Sequence, residues 1–208
     1  MNMRTIKVGI YNYDELSNKA KAKALHEWCD SEYLPSEENE KTLNVFETIF
    51  PIKVDTWYYS GCGSHISFTF LESDEIEEMT GVRLATYIYN NYYNQLFKGK
   101  YYSLWSKKEK SLNNPNIGKL KQRYSKVTFE TSCVLTGYYM DESILKPIYD
   151  FLKKPCKHTT FKELMYECLN GWLLACEKDM QTYYSEGNFI EICEINEWEF
   201  FVDGRIAV

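Results

Sequence analysis

Phe161, Leu164, Met165, Cys168, Trp172, Ala175 and Cys176 recur at i, i+3, i+4 and i+7 over 161–184. An apolar stripe of that period fits only a helix buried along one side, which limits the fold more than any other stretch of the chain. Thr160-x-x-Glu163 precedes it as a capping box, in which each side chain reaches the other residue's backbone N–H.

The other elements follow from similar signals. Residues 4–13 alternate as a strand, with Ile6, Val8 and Ile10 on one face. Asp14 then stands as N-cap of a helix over 15–33, buried through Leu16, Ala20, Ala24 or Leu25, and Trp28. Pro35 ends it, and a helix over 36–49 turns Leu43, Phe46 and Ile49 inward. Beyond Pro51, strands near 52–59 and 64–71 are joined by the turn Ser60-Gly61-Cys62-Gly63. Asp74-x-x-Glu77 opens one long helix to Phe97, with Ile76, Met79, Ile88, Tyr92 and Leu96 inside. Residues 120–138 return to strand and pair with the 52–71 hairpin. Asp141 begins another helical stretch, kinked or restarted at Pro147, and Asp203-Gly204 signals a hairpin in the tail. The order β-α-α-β-β-α-β-α-α-β-β predicts an α+β fold, a mainly antiparallel sheet packed against several helices, forming one domain over 1–208.

Charge is distributed unevenly along this framework. Lys98, Lys100, Lys107, Lys108, Lys110, Lys119, Lys121, Arg123 and Lys126 share residues 98–126 with a single acid, Glu109. That stretch carries +8, and the rest of the chain −14. Tyr101, Tyr102, Trp105 and Tyr124 lie between the cations. Its middle, with Asn113-Asn114-Pro115-Asn116 and Gly118, reads as a surface loop, so the whole reads as a projecting basic arm. Cations that reach a phosphate backbone, with rings that stack on unpaired bases, suit nucleic acid or a nucleoprotein. A solvated lysine face, or one docked on the chain's own acidic helices, explains the same residues without function.

The acids form two groups: Glu15, Glu27, Asp30, Glu32, Glu37, Glu38 and Glu40, then Glu72, Asp74, Glu75, Glu77 and Glu78. Carboxylates spaced on a surface can imitate phosphates and fill a basic groove; carboxylates near helix N-termini are also the ordinary answer to the helix dipole. Eighteen tyrosines favour interaction surfaces, or reflect an A/T-rich genome.

The opening has no apolar run of signal-peptide length, and no stretch approaches the length of a membrane span. The seven cysteines are dispersed without a C-x-x-C pair and read as free thiols of a reducing cytosol.

Tyr13-Asp14-Glu15-Leu16-Ser17, followed by Ala20-Lys21 and Ala24, resembles the start of a group of small bacteriophage and prophage proteins. These begin with a strand and then F/Y-D-E-L-S-x-x-A-K-x-x-A, and further on carry W/F-x-S-Q-G-D-G-A-S-F. The segment from Trp57 to Ser64 is similar, with Cys62 where Asp is usual and no matching Gln. The C-terminal pattern, Tyr184-Ser185-Glu186 through Asn196-Glu197-Trp198-Glu199-Phe200 to Asp203-Gly204-Arg205, is also alike. The resemblance implies a phage accessory protein rather than a mechanism, of a class with no general assigned activity but often antagonistic to host defences.

Three constellations invite chemistry. Cys62 with His65 has the flavour of an activated thiol, but a hairpin glycine pair explains Gly61 and Gly63 without any chemistry. His26 with Cys29, and Cys156 with His158, could together ligate zinc, but the spacings are not those of a metal site. With three histidines in all, acid–base catalysis has no identifiable pair. The expectation is therefore a protein of the host bacterial cytosol that binds rather than turns over: an anti-CRISPR-like inhibitor of a defence complex. It would need no cofactor, metal or membrane. Its contacts with a host defence protein or nucleoprotein, including RNA or DNA, would be Lys98, Lys100, Tyr101, Tyr102, Trp105, Lys107, Lys108, Lys119, Lys121, Arg123 and Lys126. A protein sequestering a nucleotide immune signal is one alternative, and an enzyme using Cys62 the other.

Overall fold

A computed structural model describes residues 8–31, 33–61, 63–101, 128–130 and 133–207. The elements run β1 (Ile10–Tyr11), a 3-10 turn (Tyr13–Glu15), α1 (Asn18–Cys29), α2 (Ser36–Ile49), β2 (Ile52–Ser60), β3 (Gly63–Phe70), α3 (Asp74–Glu77) and α4 (Gly81–Leu96). They continue with β4 (Lys98–Tyr101), β5 (Thr128–Glu130), α5 (Met140–Lys153), α6 (Phe161–Tyr183), α7 (Glu186–Ile195) and β6 (Phe200–Phe201). The class is α+β, and among the described residues the strands pair only two by two: β1 with β6, β2 with β3, and β4 with β5. Of the segment expected to pair with the 52–71 hairpin, the described strand β5 pairs with β4 instead.

Helix boundaries follow local hydrogen bonding. The box at the start of α6 forms as expected: Thr160 N–H donates to Glu163 Oε2 at 2.8 Å, and Glu163 N–H to Thr160 Oγ1 at 3.1 Å. At the first helix the expected cap is displaced. Asn12 N–H donates to Glu15 Oε2 at 2.9 Å, which closes the 3-10 turn, and Ser17 Oγ then caps α1 through Ala20 N–H. The long helix expected over 74–97 is two helices, α3 and α4. Gly81 takes φ +57°, and its N–H bonds the Cys156 carbonyl at 3.0 Å instead of continuing a helix. Helix α5 passes through Pro147 without restarting.

The chain divides into two compact units, 1–37 with 58–64 and 174–208, and 38–57 with 65–173. The second holds most of the apolar mass. Phe46, Leu84, Ile88, Leu96, Met140, Ile144, Ile148, Phe161, Leu164 and Met165 all have no exposed surface. Each such side chain contributes about 1.5–3 kcal/mol through burial. Trp172 lies at its centre, edge-on to Trp57 at 5.4 Å, with its indole N–H donating to the Asn39 carbonyl at 3.1 Å. Asp141 is fully buried there and is paired throughout: the backbone N–H groups of Leu135, Thr136 and Gly137 donate to one oxygen, and the Thr136 hydroxyl to the other. It is a cap that orders the turn entering α5.

The first unit has a separate core of Tyr13, Leu16, Ala20, Ala24, Phe189, Cys193 and Phe200, with Leu25, Trp28, Ile190 and Trp198 packed against it. Strands β1 and β6 align Ile10 with Phe201 and Tyr11 with Phe200. The Asp203-Gly204 turn forms as expected; Gly204 takes φ +88°, and a Cβ there would meet the Ala20 carbonyl oxygen at 2.3 Å.

Candidate functional site

Of the basic stretch, Lys98, Lys100 and Tyr101 lie on β4. β4 pairs antiparallel with β5, Lys98 opposite Glu130 and Tyr101 opposite Thr128, across a register shift. Tyr101 and Thr128, the described residues on either side of 102–127, thus stand opposite one another. Tyr102, Trp105, Lys107, Lys108, Lys119, Lys121, Arg123 and Lys126 lie outside the described residues, as does Cys62.

Six of the twelve acids in the two anticipated groups have a polar partner among the described residues. Glu15 accepts from Asn12, Glu27 and Asp30 lie within reach of Lys23 and His26, and Glu38 pairs with Lys41. Glu75 pairs with Arg83, and Glu77 with Lys162. Those of Glu15, Glu27, Asp30 and Glu38 are capping and one-turn contacts, worth a few tenths of a kcal/mol each, whereas those of Glu75 and Glu77 tie α3 to α4 and to α6.

A different set of carboxylates makes no ion pair among the described residues. Helix α7 ends in a Schellman motif: Trp198 N–H bonds the Cys193 carbonyl at 2.9 Å and Glu197 N–H the Glu194 carbonyl at 3.2 Å. Glu197 holds φ +53° at the position usually taken by glycine. The motif folds Trp198 back over α7, where its ring lies 6.0 Å from that of Trp28 and 6.4 Å from that of Phe189. Trp28 is fixed in turn, stacked on Tyr183 at 5.0 Å and donating its indole N–H to the Tyr183 carbonyl at 3.3 Å.

Two hollows share Trp198 as a wall. One, of about 660 Å³, is lined by Asn12, Tyr13, Asp14, Ile190, Cys193, Glu194, Glu197 and Glu199. The other, of about 480 Å³, is lined by Trp28, Ser31, Leu34, Tyr183, Ile192 and Asn196. Glu194, Glu197 and Glu199 are exposed and make no ion pair among the described residues; Asp14 reaches Lys21 at 3.9 Å. Tyr13 donates to Glu186 at 3.4 Å, and its phenol is pushed up to about 12 by burial first and then by that carboxylate. Leu34 is 70% exposed beside the second hollow, and Ile195 at the end of α7 is 79% exposed.

The thiol constellations separate differently from what spacing suggested. Cys29 is directed at the Tyr184 carbonyl at 3.7 Å, and His26 Nδ1 lies 3.0 Å from Asp30. Cys156 Sγ accepts from His158 N–H at 3.5 Å. Its pKa is lowered by that N–H, then by the Thr159 hydroxyl. It faces a hollow of about 450 Å³ that Lys146 and Lys154 also line. Among the described residues no group of three or more His, Cys, Asp or Glu could hold a metal ion. No described helix is long and apolar enough to cross a membrane.

Compared with protein-family models, curated proteins and solved structures, the chain matches none.

Spacing did not single out the Trp198 hollows. Asp14 comes from the first turn, Leu34 from the link before α2, and the remaining carboxylates from the end of α7. The available signal was Glu194-x-x-Glu197-Trp198-Glu199, a tryptophan enclosed by acids with no nearby lysine.

Proposed function

We propose that this chain is a phage-encoded inhibitor of a bacterial defence complex, acting in the bacterial cytosol by stoichiometric binding and by electrostatic and steric occlusion. The observation that carries this reading is the β4–β5 ribbon at the base of the basic stretch. The sequence places +8 on residues 98–126 in a chain otherwise at −14, and the paired strands Lys98–Tyr101 and Thr128–Glu130 bracket most of that stretch. Cations gathered on one element bind an anionic surface more firmly than cations spread over an acidic body, which repels it. Aromatic residues between them add stacking on unpaired bases or packing on protein.

The test is charge reversal of Lys107, Lys108, Lys121 and Arg123 together, with capture of a defence complex from host extract before and after nuclease treatment. The reading expects capture to be lost in the variant. Where nucleic acid is the contact, the slope of log affinity against log salt falls by roughly 0.7–0.9 for each phosphate contact removed. Full capture by the variant rejects the arm as the contact. A large thermal shift with a nucleotide messenger and no captured protein would replace inhibition by sequestration.

A further inference from the structure

We infer that the two hollows flanking Trp198 form one docking groove for a basic segment of a partner protein. An apolar side chain of that segment fills the hollow beside Leu34, and neighbouring Lys or Arg side chains enter the acidic hollow.

The charge argument fixes the class of occupant. Glu194, Glu197 and Glu199 lie on one wall without an ion pair among the described residues, and Asp14 adds a fourth carboxylate held only at 3.9 Å by Lys21. Such a wall repels phosphate, so nucleic acid and anionic lipid are disfavoured there, whereas a polypeptide carrying cations is drawn in. A cation in the hollow also lies beside Trp198, which lines it, and attraction to an aromatic ring strengthens once water is excluded.

The apolar half makes the occupant a peptide rather than a free cation. Trp28, Tyr183 and Ile192 line a hollow whose edge, Leu34, is 70% exposed. Burying that edge under a partner's aliphatic or aromatic side chain removes apolar surface from water, the usual anchor of a peptide site. Trp198 belongs to both hollows, so anchor and cations must sit within a few residues of one another in the partner. The walls are fixed in advance by the Schellman turn and by the Trp28–Tyr183 stack, which lowers the entropic cost of binding. This inference does not depend on the basic arm, and either can fail alone.

The probe is a displayed library of random linear peptides selected on the full chain. Enriched peptides should combine an excess of Lys and Arg with an adjacent aliphatic or aromatic residue. Glu194→Lys with Glu199→Lys should weaken the best peptide at least about tenfold, with a smaller salt dependence, and Leu34→Asp should do so with little change in salt dependence. These three positions are exposed, so the variants keep the fold, and unchanged thermal unfolding checks that. The variant reversed at Lys107, Lys108, Lys121 and Arg123 should bind the peptide as the parent does, which separates failure here from failure of the arm. No enrichment, enrichment of acidic or uncharged peptides, or equal binding by the groove variants overturns the inference. A solution mass of twice 24.7 kDa that falls to one chain in Leu34→Asp also overturns it, making the occupant a second copy.

Discussion

Gly171 of α6 lies against the Ser143 carbonyl of α5, and a Cβ on the glycine would sit 3.0 Å from that oxygen. The carbonyl is one that α5 cannot satisfy through its own ladder. Its helical donor would be the N–H of residue 147, and Pro147 has none. The helix does not restart at this proline, and the freed oxygen is turned toward the one residue type with no side chain to collide with it.

Gly171→Ala therefore sets two effects against each other. Helix propensity favours alanine by about 1 kcal/mol, and overpacking against a backbone oxygen costs about 1–3 kcal/mol. The backbone of α5 is stiffened by Pro147, so the second effect should win, with a net loss on the order of 1 kcal/mol by denaturant unfolding. Gly187→Ala, in the first turn of α7 where a Cβ meets nothing within 4 Å, should instead be neutral or stabilising. Equal signs for the two substitutions would refute the contact as the cause.

Glu197 occupies the left-handed position of the α7 Schellman motif at φ +53°. A residue with a Cβ is strained there by roughly 1 kcal/mol relative to glycine. Glu197→Gly should raise the midpoint of thermal unfolding by roughly 2–4 °C. An unchanged or lower midpoint in calorimetry would mean that the glutamate side chain contributes a compensating contact.

The contrast between what could and could not be read from sequence follows from where the determining bonds lie. The Thr160–Glu163 box and the apolar stripe of α6 are local, and both are present as read. Helix α2 begins and ends where Pro35 and Pro51 imply. The break between α3 and α4 depends on Gly81 bonding a carbonyl 75 residues away, which no window shows. Helix α7 escaped notice because Phe189, Ile190, Ile192, Cys193 and Ile195 are β-prone and crowd both faces; Ser185 capping Asn188 decides in favour of helix. The Trp198 hollows join the two ends of the chain, so their carboxylates, unremarkable apart, became a site only once folded.

Cys156 and Cys29 are both exposed, yet their thiols are pushed in opposite directions. Backbone N–H donation from His158 lowers the pKa of Cys156, while burial of the sulfur and then Asp30 raise that of Cys29. Since the thiolate is the reacting form, iodoacetamide at neutral pH should alkylate Cys156 well before Cys29. Peptide mass spectrometry after brief labelling reads the order directly. Faster labelling of Cys29 would show that His158 N–H does not hold the Cys156 sulfur in solution.

Alkaline unfolding offers a test of the first unit's core. Burial and then the Glu186 carboxylate raise Tyr13 to about 12 from the ordinary value of 10.0. The folded state therefore holds this proton more tightly than the unfolded chain does. The associated stability is fully present below pH 10.0 and is lost as pH rises toward about 12. Tyr92 and Tyr149 are raised further, by burial first, and extend the loss in the same direction. Stability measured by denaturant should thus fall across that window, and Tyr13→Phe should flatten part of the fall without lowering stability at neutral pH by more than about 1 kcal/mol. The phenol bonds only a partly solvated carboxylate at 3.4 Å, so its hydrogen bond is weak, whereas its ring, edge-on to Phe189 at 5.3 Å, is kept in the substitution. An identical alkaline loss in Tyr13→Phe would assign the titration to Tyr92 and Tyr149 alone.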